Sequence, residues 1–290
     1  MDLRAIALGL GFAVMWSSAF TSARIIVTEA PPLAALALRF AISGVLAVGL
    51  ARALGQTWRL SLGQWRAVAV FGVCQNTLYL GCYFVAMQEV EASLAAIMAS
   101  TMPLIAAGAN RALGETLRPL AVTGLVAGFA GVALIMGTRL SGGAPLWGVV
   151  LCVAGVVALA VATLSVRGTA SGGNVLMIVG LQMLVGAAAL VVPAALAGWE
   201  PVTVTPRLAA AFVYTLLVPG LAATVVWFVL VNRVGATRAA VFHFLNPVFG
   251  VALAALVLGE AVRWTDAVGV AVVTAGIFAV QVARRPAPAT

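Results

Sequence analysis

Long apolar runs fill this chain, and short stretches rich in polar residues, glycine and proline separate them. Each run reaches the roughly 20 residues that a helix needs to cross a bilayer. Because backbone groups find no water in the hydrocarbon core, we expect every run to be an α-helix. The ten predicted spans are residues 3–27, 31–52, 64–87, 91–112, 118–137, 145–167, 174–197, 207–231, 236–258 and 265–283.

The chain nearly repeats itself after 144 residues. Residues 90–104 match residues 234–248, with Pro103 on Pro247. After one inserted residue, the matched positions are Leu113 with Leu258, Gly114 with Gly259, Glu115 with Glu260, Gly124 with Gly269 and Gly131 with Gly276. Five spans per copy reverse the orientation of the second copy, and inverted repeats with a substrate site between them are typical of secondary transporters.

Composition supports an all-α integral membrane protein of ten helices in two inverted five-helix repeats. Apolar residues make up 63% of the 290 residues and charged residues 8%, far below the roughly 25% of soluble domains. We expect the first repeat at residues 1–137, the second at 145–283 and a cytoplasmic tail at 284–290. The segment from Gly137 to Pro145 is the predicted hinge between them.

All 16 basic residues are arginines, and all but Arg39 are scattered at or near the ends of the spans. This scatter argues against nucleic-acid binding, which needs a clustered basic patch. With the N-terminus inside, eleven arginines are cytoplasmic and four are external, so the positive-inside rule places both termini in the cytoplasm.

Arg39 is the one arginine inside a span. It lies eight residues beyond Pro31, about 12 Å along a helix that rises 1.5 Å per residue, and its cost in lipid demands a buried partner. In a functional role, Arg39 meets a substrate carboxylate or the carbonyl ends of broken helices. The alternative is a structural arginine that donates hydrogen bonds to backbone carbonyls between helices. Aligning span 2 with span 7 places Gln182 at the equivalent depth.

Span 3 carries Asn76, Tyr79 and Tyr83 on one helical face. A face that is both polar and aromatic suits a cavity that stacks on a ring and hydrogen-bonds its polar end. The alternative is hydrogen bonding between helices of the bundle.

Span 9 contains His243, the single histidine, four residues before Pro247 and three before Asn246. A proline removes a helical hydrogen bond and frees a carbonyl. His243 and Asn246 are therefore candidate substrate contacts, and His243 is a candidate proton-coupling group; the alternative is a neutral packing histidine. Pro103, two residues after candidate Thr101, marks the equivalent place in span 4, and Pro219 interrupts span 8. These three prolines are the predicted hinges.

Two tryptophans lie too deep in their spans to be interfacial anchors, Trp16 in span 1 and Trp227 in span 8. Together with Ser17 they are candidates for the lining of a cavity, against an alternative of ordinary packing.

No carboxylate lies mid-span, and no cluster has metal-ligand spacing. A proton exchanger with a central glutamate has no candidate residue here, and a metal site is not expected. There is no nucleophile and base pair and no phosphate-binding loop, so we expect neither an enzyme nor a cofactor.

The whole chain resembles the drug/metabolite transporter superfamily with two EamA-type repeats. The matching residues are Trp16-Ser17-Ser18-Ala19-Phe20, Pro32 through Arg39-Phe40, Ala92 through Pro103 with Leu113-Gly114-Glu115, and their copies through Pro247 and Leu258-Gly259-Glu260. Within that superfamily the chain is most similar to YddG-like exporters of aromatic amino acids. That resemblance implies an inner-membrane carrier that works by alternating access. With no lysine and one deep arginine, a multiply anionic cargo is not expected.

We therefore expect an exporter of amino acids and related amphipathic metabolites, aromatic ones foremost, in a bacterial-type inner membrane. Its partners would be this small-molecule substrate and lipid, with the protein a monomer or weak oligomer. Two alternatives stay open: a carrier or exchanger for another metabolite or drug, and a membrane-embedded enzyme or scaffold.

Overall fold

The structure is a computed structural model that describes residues 3–112, 114, 116–165, 174–198, 201–234 and 239–283. In this part of the chain all regular structure is helical, with nine helices long enough to cross a membrane and a tenth, shorter apolar helix. The predicted all-α membrane fold with ten spans is therefore confirmed.

The helices are α1 Leu3–Glu29, α2 Pro32–Ala53, α3 Leu62–Ala86, α4 Ala92–Ser100 with Met102–Ala112, α5 Pro119–Ser141, α6 Leu146–Ser165, α7 Val175–Leu196, α8 Pro206–Thr215 with Leu216–Ala222 and Ala223–Val234, α9 Ala240–Leu245 with Asn246–Leu258, and α10 Trp264–Ala283. Local chemistry sets several of the ends. A capping box starts α3, where the Ser61 hydroxyl accepts from the Gln64 amide and the Gln64 side chain accepts from the Ser61 amide. Gly259 ends α9 with φ of 69°, a left-handed conformation that favours glycine.

Three helices contain irregular segments. In α3 and α8 a π-helical segment replaces the regular winding, at Gly72–Tyr79 and Leu216–Ala222. The two segments fall on matching positions of the sequence repeat, 144 residues apart. α9 begins with a 3₁₀ segment, Ala240–Leu245. Such interruptions of α-helices are frequent at functional sites.

The predicted hinge at residues 137–145 is too long by five residues, because α5 continues through Ser141. Gly137 does not stop the helix, and the hydroxyl of Ser141 donates back to its carbonyl at 2.9 Å. The connection between α5 and α6 is residues 142–145, with Gly143 at φ of 97°. The helix therefore ends only where left-handed backbone is required.

The chain forms two compact units that each combine segments of both sequence repeats. Unit 1 comprises Met1–Thr21, Glu91–Leu146 and Ala223–Thr290, and unit 2 comprises Ser22–Val90 and Trp147–Ala222. The repeat boundaries at residues 1–137 and 145–283 stay a prediction.

In unit 1, glycines bring α5 and α10 into backbone contact. A Cβ on Gly124 would lie 2.7 Å from the Gly276 carbonyl oxygen, and a Cβ on Gly131 would lie 3.0 Å from the Gly269 carbonyl oxygen. The sequence repeat matches Gly124 with Gly269 and Gly131 with Gly276. Gly124 thus contacts the counterpart of Gly131, and Gly131 contacts the counterpart of Gly124. A two-fold axis between antiparallel helices produces this exchange. The arrangement fits the inverted repeat.

A buried ion cluster holds one end of unit 1 together. Arg139 on α5 binds Asp266 on α10 through two hydrogen bonds, Nε to Oδ1 at 3.1 Å and Nη2 to Oδ2 at 2.7 Å. Arg139 also pairs with Glu91, just before α4. The exposed fractions of Arg139 and Asp266 are 3% and 0%. Arg139 therefore joins three helices, through a buried pair with Asp266 and a pair with Glu91, whose side chain is 42% exposed.

The carboxylate of Glu260 caps α4 in the same unit. Its two oxygens accept from the backbone amides of Ala92 and Ser93 at 2.7 and 2.9 Å. These amides belong to the first turn of α4, where intrahelical partners are missing. Glu260 follows α9, so this contact fixes the start of α4 beside the end of α9.

In unit 2, α2 and α7 pack in the same close manner as α5 and α10. A Cβ on Gly44 would lie 3.0 Å from the Gly180 carbonyl oxygen, and a Cβ on Gly180 would lie 2.9 Å from the Val48 amide nitrogen. Small residues at such positions let helix backbones approach in a membrane. Both long helix pairs of the fold thus depend on glycine.

We predict that Gly276→Ala destabilises the protein. The added methyl group would lie 2.6 Å from the Gly124 carbonyl oxygen and 2.7 Å from the Gly128 amide nitrogen, so a helix must move. Overpacking of this kind costs about 1–3 kcal/mol. The measurement is the thermal unfolding temperature of the purified protein in detergent. Gly137→Ala on α5 is the control, since nothing lies within 4 Å of its added Cβ. Equal losses in both variants would contradict the prediction.

We also predict that Asp266→Asn lowers the unfolding temperature markedly. The substitution keeps the side-chain size but leaves Arg139 without its two-bond partner, and breaking a buried ion pair costs about 3–5 kcal/mol. Arg207→Ala is the matched control, because its side chain is 65% exposed and its Nε lies 3.8 Å from the Glu29 carboxylate. An exposed pair is worth about 1 kcal/mol at most. A variant as stable as the wild type would show that the cluster does not hold these helices.

Candidate functional site

Unit 1 brings three aromatic side chains together around His243. The ring centroid of His243 lies 5.0 Å from Phe12, 4.9 Å from Trp227 and 6.2 Å from Trp16. Phe12 contacts the two tryptophans at 5.7 and 4.8 Å. We call Phe12, Trp16, Trp227 and His243 the aromatic quartet. Three of its members were predicted from sequence, and the structure places them in one cluster.

Asn246 supplies hydrogen-bonding groups beside the quartet. Its amide nitrogen lies 3.1 Å from Nδ1 of His243, and its backbone carbonyl accepts from the Ser17 hydroxyl at 3.2 Å. Because an amide nitrogen can only donate, this contact is a hydrogen bond in the tautomer of His243 whose Nδ1 is unprotonated. The side-chain oxygen of Asn246 is buried and has no hydrogen-bond partner. The cluster therefore combines aromatic faces with one unused acceptor.

The local fold explains why His243 and Asn246 come together. His243 lies in the 3₁₀ segment, and Asn246 begins the α-helical part of α9, with Pro247 at its second position. Proline fits the first turn of a helix, where its missing amide is not needed. The predicted break at Pro247 is thus a change of helix type. Pro103 similarly is the second residue of the second part of α4.

Thr101 and Ser100, at the junction of the two parts of α4, do not contribute free hydroxyl groups. The Thr101 hydroxyl donates to the Met98 carbonyl at 2.7 Å, and that of Ser100 donates to the Ile97 carbonyl at 2.6 Å. Both hydrogen bonds stay within α4. The role of Thr101 in substrate binding stays a prediction.

In unit 2, the polar and aromatic face of α3 packs against α6 and α7. The Asn76 amide donates to the Gln182 carbonyl at 2.9 Å, and the rings of Tyr79 and Tyr83 lie 4.7 Å apart. Tyr83 has no exposed surface, and a Cβ on Gly155 of α6 would lie 2.9 Å from its ring. Asn76 thus makes a hydrogen bond between helices, which was the alternative interpretation of this face of α3. The predicted contacts of cargo with Asn76, Tyr79, Tyr83 and Gln182 stay predictions.

Arg39 lies on α2 of unit 2, beside the π-helical segment of α8. A Cβ on Gly220 would lie 3.8 Å from Nη2 of Arg39 and 3.8 Å from Oγ of Ser43. Gly220 directly follows Pro219, which lies inside the π-helical segment. The predicted hinge in α8 and the predicted deep cation are therefore neighbours.

Sequence reasoning missed Phe12 and Ser43. Phe12 lies one helical turn before Trp16, and Ser43 lies one turn after Arg39, so each shares a face with a predicted residue. That spacing was the available signal. The π-helical segment of α3 had no such signal, because it contains no proline at the position that Pro219 occupies in α8.

Unit 2 also has an apolar groove of about 940 Å³ between α2, α7 and the first part of α8. Alanines dominate its lining, which includes Ala34, Ala41, Ala188 and Ala195. None of the predicted site residues lines it. A groove without polar groups suits hydrocarbon and offers nothing to orient an amino acid.

Comparisons with known proteins agree with the membrane fold. A solved crystal structure with 23% sequence identity superposes with a TM-score of 0.64 and aligns over 96% of each chain, which shows the same fold. The chain is 26% identical over 285 residues to the uncharacterized inner membrane transporter YedA of Escherichia coli, covering 95% of this chain and 90% of YedA.

Two further relatives are more distant in coverage or identity. The uncharacterized transporter YvbV of Bacillus subtilis is 26% identical over 85% of this chain and 81% of its own length. A chloroplastic WAT1-related protein of Arabidopsis thaliana is 22% identical over 91% of this chain and 66% of its own length.

The sequence profile of the EamA-like transporter family matches this chain twice, at residues 3–137 and 146–281. The two matches together span nearly all of the described helices, and they fall on the two copies of the internal repeat. The chain belongs to the EamA-like transporter family.

Proposed function

We propose that this protein is an inner-membrane secondary transporter that exports amino acids and related amphipathic metabolites, aromatic ones foremost, by alternating access. The observation that carries the proposal is the aromatic quartet of unit 1, with the buried side-chain oxygen of Asn246 beside it. Family membership supports transport, and the similarity to YedA, an inner membrane transporter, supports the inner membrane. The resemblance to YddG-like exporters supports the direction of transport.

The quartet has the chemistry that an aromatic solute requires. Aromatic rings prefer offset or edge-to-face contacts at centroid distances of about 4.5–7 Å, and the quartet already shows that spacing among its own members. Trp16, Trp227 and His243 are only partly buried, so they keep accessible surface. An indole or phenyl ring could extend the same set of contacts.

Hydrogen-bonding groups beside the quartet are neutral. Ser17 donates to the backbone carbonyl of Asn246, and the Asn246 amide nitrogen lies 3.1 Å from Nδ1 of His243. Neutral groups of this kind bind a polar solute without demanding a fixed net charge. They favour an amphipathic cargo over a multiply charged one.

The transport step would be a rocking of the two inverted repeats about hinges, and the irregular segments supply candidate hinge positions. Pro219 lies inside the π-helical segment of α8, and Pro103 and Pro247 each follow a change in helix geometry. Hinges are a few such positions that absorb changes in backbone angles. In this proposal the three prolines are the hinges of the transport cycle.

Transport should not depend on a proton gradient. The acidic residues lie at or near the ends of the spans, so no carboxylate is available mid-span to exchange a proton with cargo. We predict that purified protein in liposomes takes up labelled Phe, Trp and Leu down their gradients without a pH difference. Lys and Glu should be transported much more slowly.

The outcomes separate the alternatives. Selective flux of aromatic and apolar amino acids supports the proposal, and counterflow with other labelled metabolites or drugs would identify a different cargo on the same fold. A strict requirement for a pH gradient would overturn the uncoupled mechanism and direct attention to His243. Absence of flux for all five amino acids would overturn the proposed cargo.

We predict that Trp227→Ala weakens transport of aromatic amino acids about 10-fold or more, measured as a rise in KM. The substitution removes the ring that contacts both Phe12 and His243, and a 10-fold change corresponds to about 1.4 kcal/mol. Trp147→Ala is the control, because Trp147 is 43% exposed at the start of α6. Unchanged kinetics in a folded Trp227→Ala protein would exclude the quartet from substrate binding.

A further inference from the structure

The guanidinium of Arg39 is buried without a charge to balance it. Arg39 is 7% exposed, and its Nε has no hydrogen-bond partner. No residue in the described part of the chain forms an ion pair or hydrogen bond with it. The ring of the adjacent Phe40 lies beside it, with its centroid 5.3 Å from Cζ of Arg39. An arginine inside a span is costly, and it normally has a partner.

Ser43 presents a second unpartnered polar group on the same face of α2. It is 1% exposed, and its Oγ has no hydrogen-bond partner. A helical serine commonly donates to the carbonyl four residues before it, as Ser141 does, but Ser43 does not. Because Arg39 and Ser43 are one turn apart, both groups lie on one side of the helix.

Gly220 lies between these two groups and the irregular segment of α8. The position of a Cβ on Gly220 is 3.8 Å from Nη2 of Arg39, 3.8 Å from Oγ of Ser43 and 3.1 Å from the Thr215 carbonyl oxygen. Arg39 and Ser43 therefore converge on the same small region of α8. All of these residues belong to unit 2.

Four of the five acidic side chains in the described part of the chain bind groups other than Arg39. Glu29, Glu91, Glu260 and Asp266 each bind a hydroxyl, an arginine or a helix N-terminus. Glu89, the other described acidic residue, is exposed at the end of α3. The anion that balances Arg39 must therefore come from outside this part of the chain.

We infer that Arg39 and Ser43 bind the carboxylate of the transported solute at one stage of transport. This inference rests on the proposed function and adds a chemical requirement to it: the cargo carries a single carboxylate. Arginine binds a carboxylate through two parallel hydrogen bonds, and the Ser43 hydroxyl can donate to the same group. The resulting pair neutralises the guanidinium, so the loaded site costs less in the membrane than the empty one.

The first test compares two competitors of labelled phenylalanine uptake into liposomes. Unlabelled phenylalanine should inhibit at least about 10-fold more strongly than phenylalaninamide, which lacks the anionic group, because hydrogen bonds to charged groups are the strong ones. Arg39→Gln should abolish this preference, and Ser43→Ala should reduce it several-fold. Arg207→Gln, an exposed arginine outside the site, should leave it unchanged. Equal inhibition by the two competitors in the wild type would overturn the inference.

A second measurement keeps the inference testable if the wild type transports no amino acid. The thermal unfolding temperature of the purified protein is recorded with 3-phenylpropionate, with its amide and with chloride. Stabilisation by the carboxylate alone, lost in Arg39→Gln and reduced in Ser43→Ala, supports the site independently of flux. Equal stabilisation by chloride, or by the carboxylate in wild type and Arg39→Gln alike, would overturn it.

Ser43→Ala also guards against a folding artefact. The substitution removes only a hydroxyl that has no partner in the protein, so the variant should unfold at or above the wild-type temperature. A stable Ser43→Ala protein with a reduced preference for carboxylate over amide supports the inference even if Arg39→Gln does not fold. A stable variant with the full preference would remove Ser43 from the site.

Discussion

The hydrocarbon core of a bilayer has no water to satisfy polar groups, and this constraint shapes every part of the fold. It accounts for ten apolar helices whose backbone groups bond within each helix. It also explains the polar side chains that do occur: Asn76 donates to the Gln182 carbonyl, and Arg139 binds Asp266. Against this pattern, Nε of Arg39 and Oγ of Ser43 are buried without a hydrogen-bond partner, as is the side-chain oxygen of Asn246. A polar group without a partner in such a setting is a reason to look for a ligand.

Rigid contacts and irregular segments have different places in the molecule. Close glycine contacts hold α5 against α10 and α2 against α7, while the ion cluster around Arg139 joins α4, α5 and α10. The π-helical and 3₁₀ segments occur in α3, α8 and α9; Asn76, Tyr79 and His243 lie on them, and Arg39 lies beside the segment of α8. The well-packed helix pairs can therefore support the irregular helices without having to change themselves.

The spans and the fold class could be predicted from sequence because the membrane imposes a length and a composition on each helix separately. Trp16, Trp227 and His243 could be selected because they are polar or aromatic residues in apolar runs. Partners could not be predicted: the role of Phe12 and the bond from Asn76 to α7 depend on which helices pack together. The extension of α5 beyond Gly137 was also missed, since one glycine weakens a helix without ending it.

The crossed glycine contacts have a consequence for the origin of the fold. Gly124 contacts Gly276 and Gly131 contacts Gly269, although the repeat aligns Gly124 with Gly269 and Gly131 with Gly276. A contact with this reciprocity does not require that its two helices belong to one chain. An ancestral polypeptide with a single copy could form it by pairing with an identical molecule inserted in the opposite direction. Duplication and fusion would then have made permanent an assembly that already existed between separate molecules.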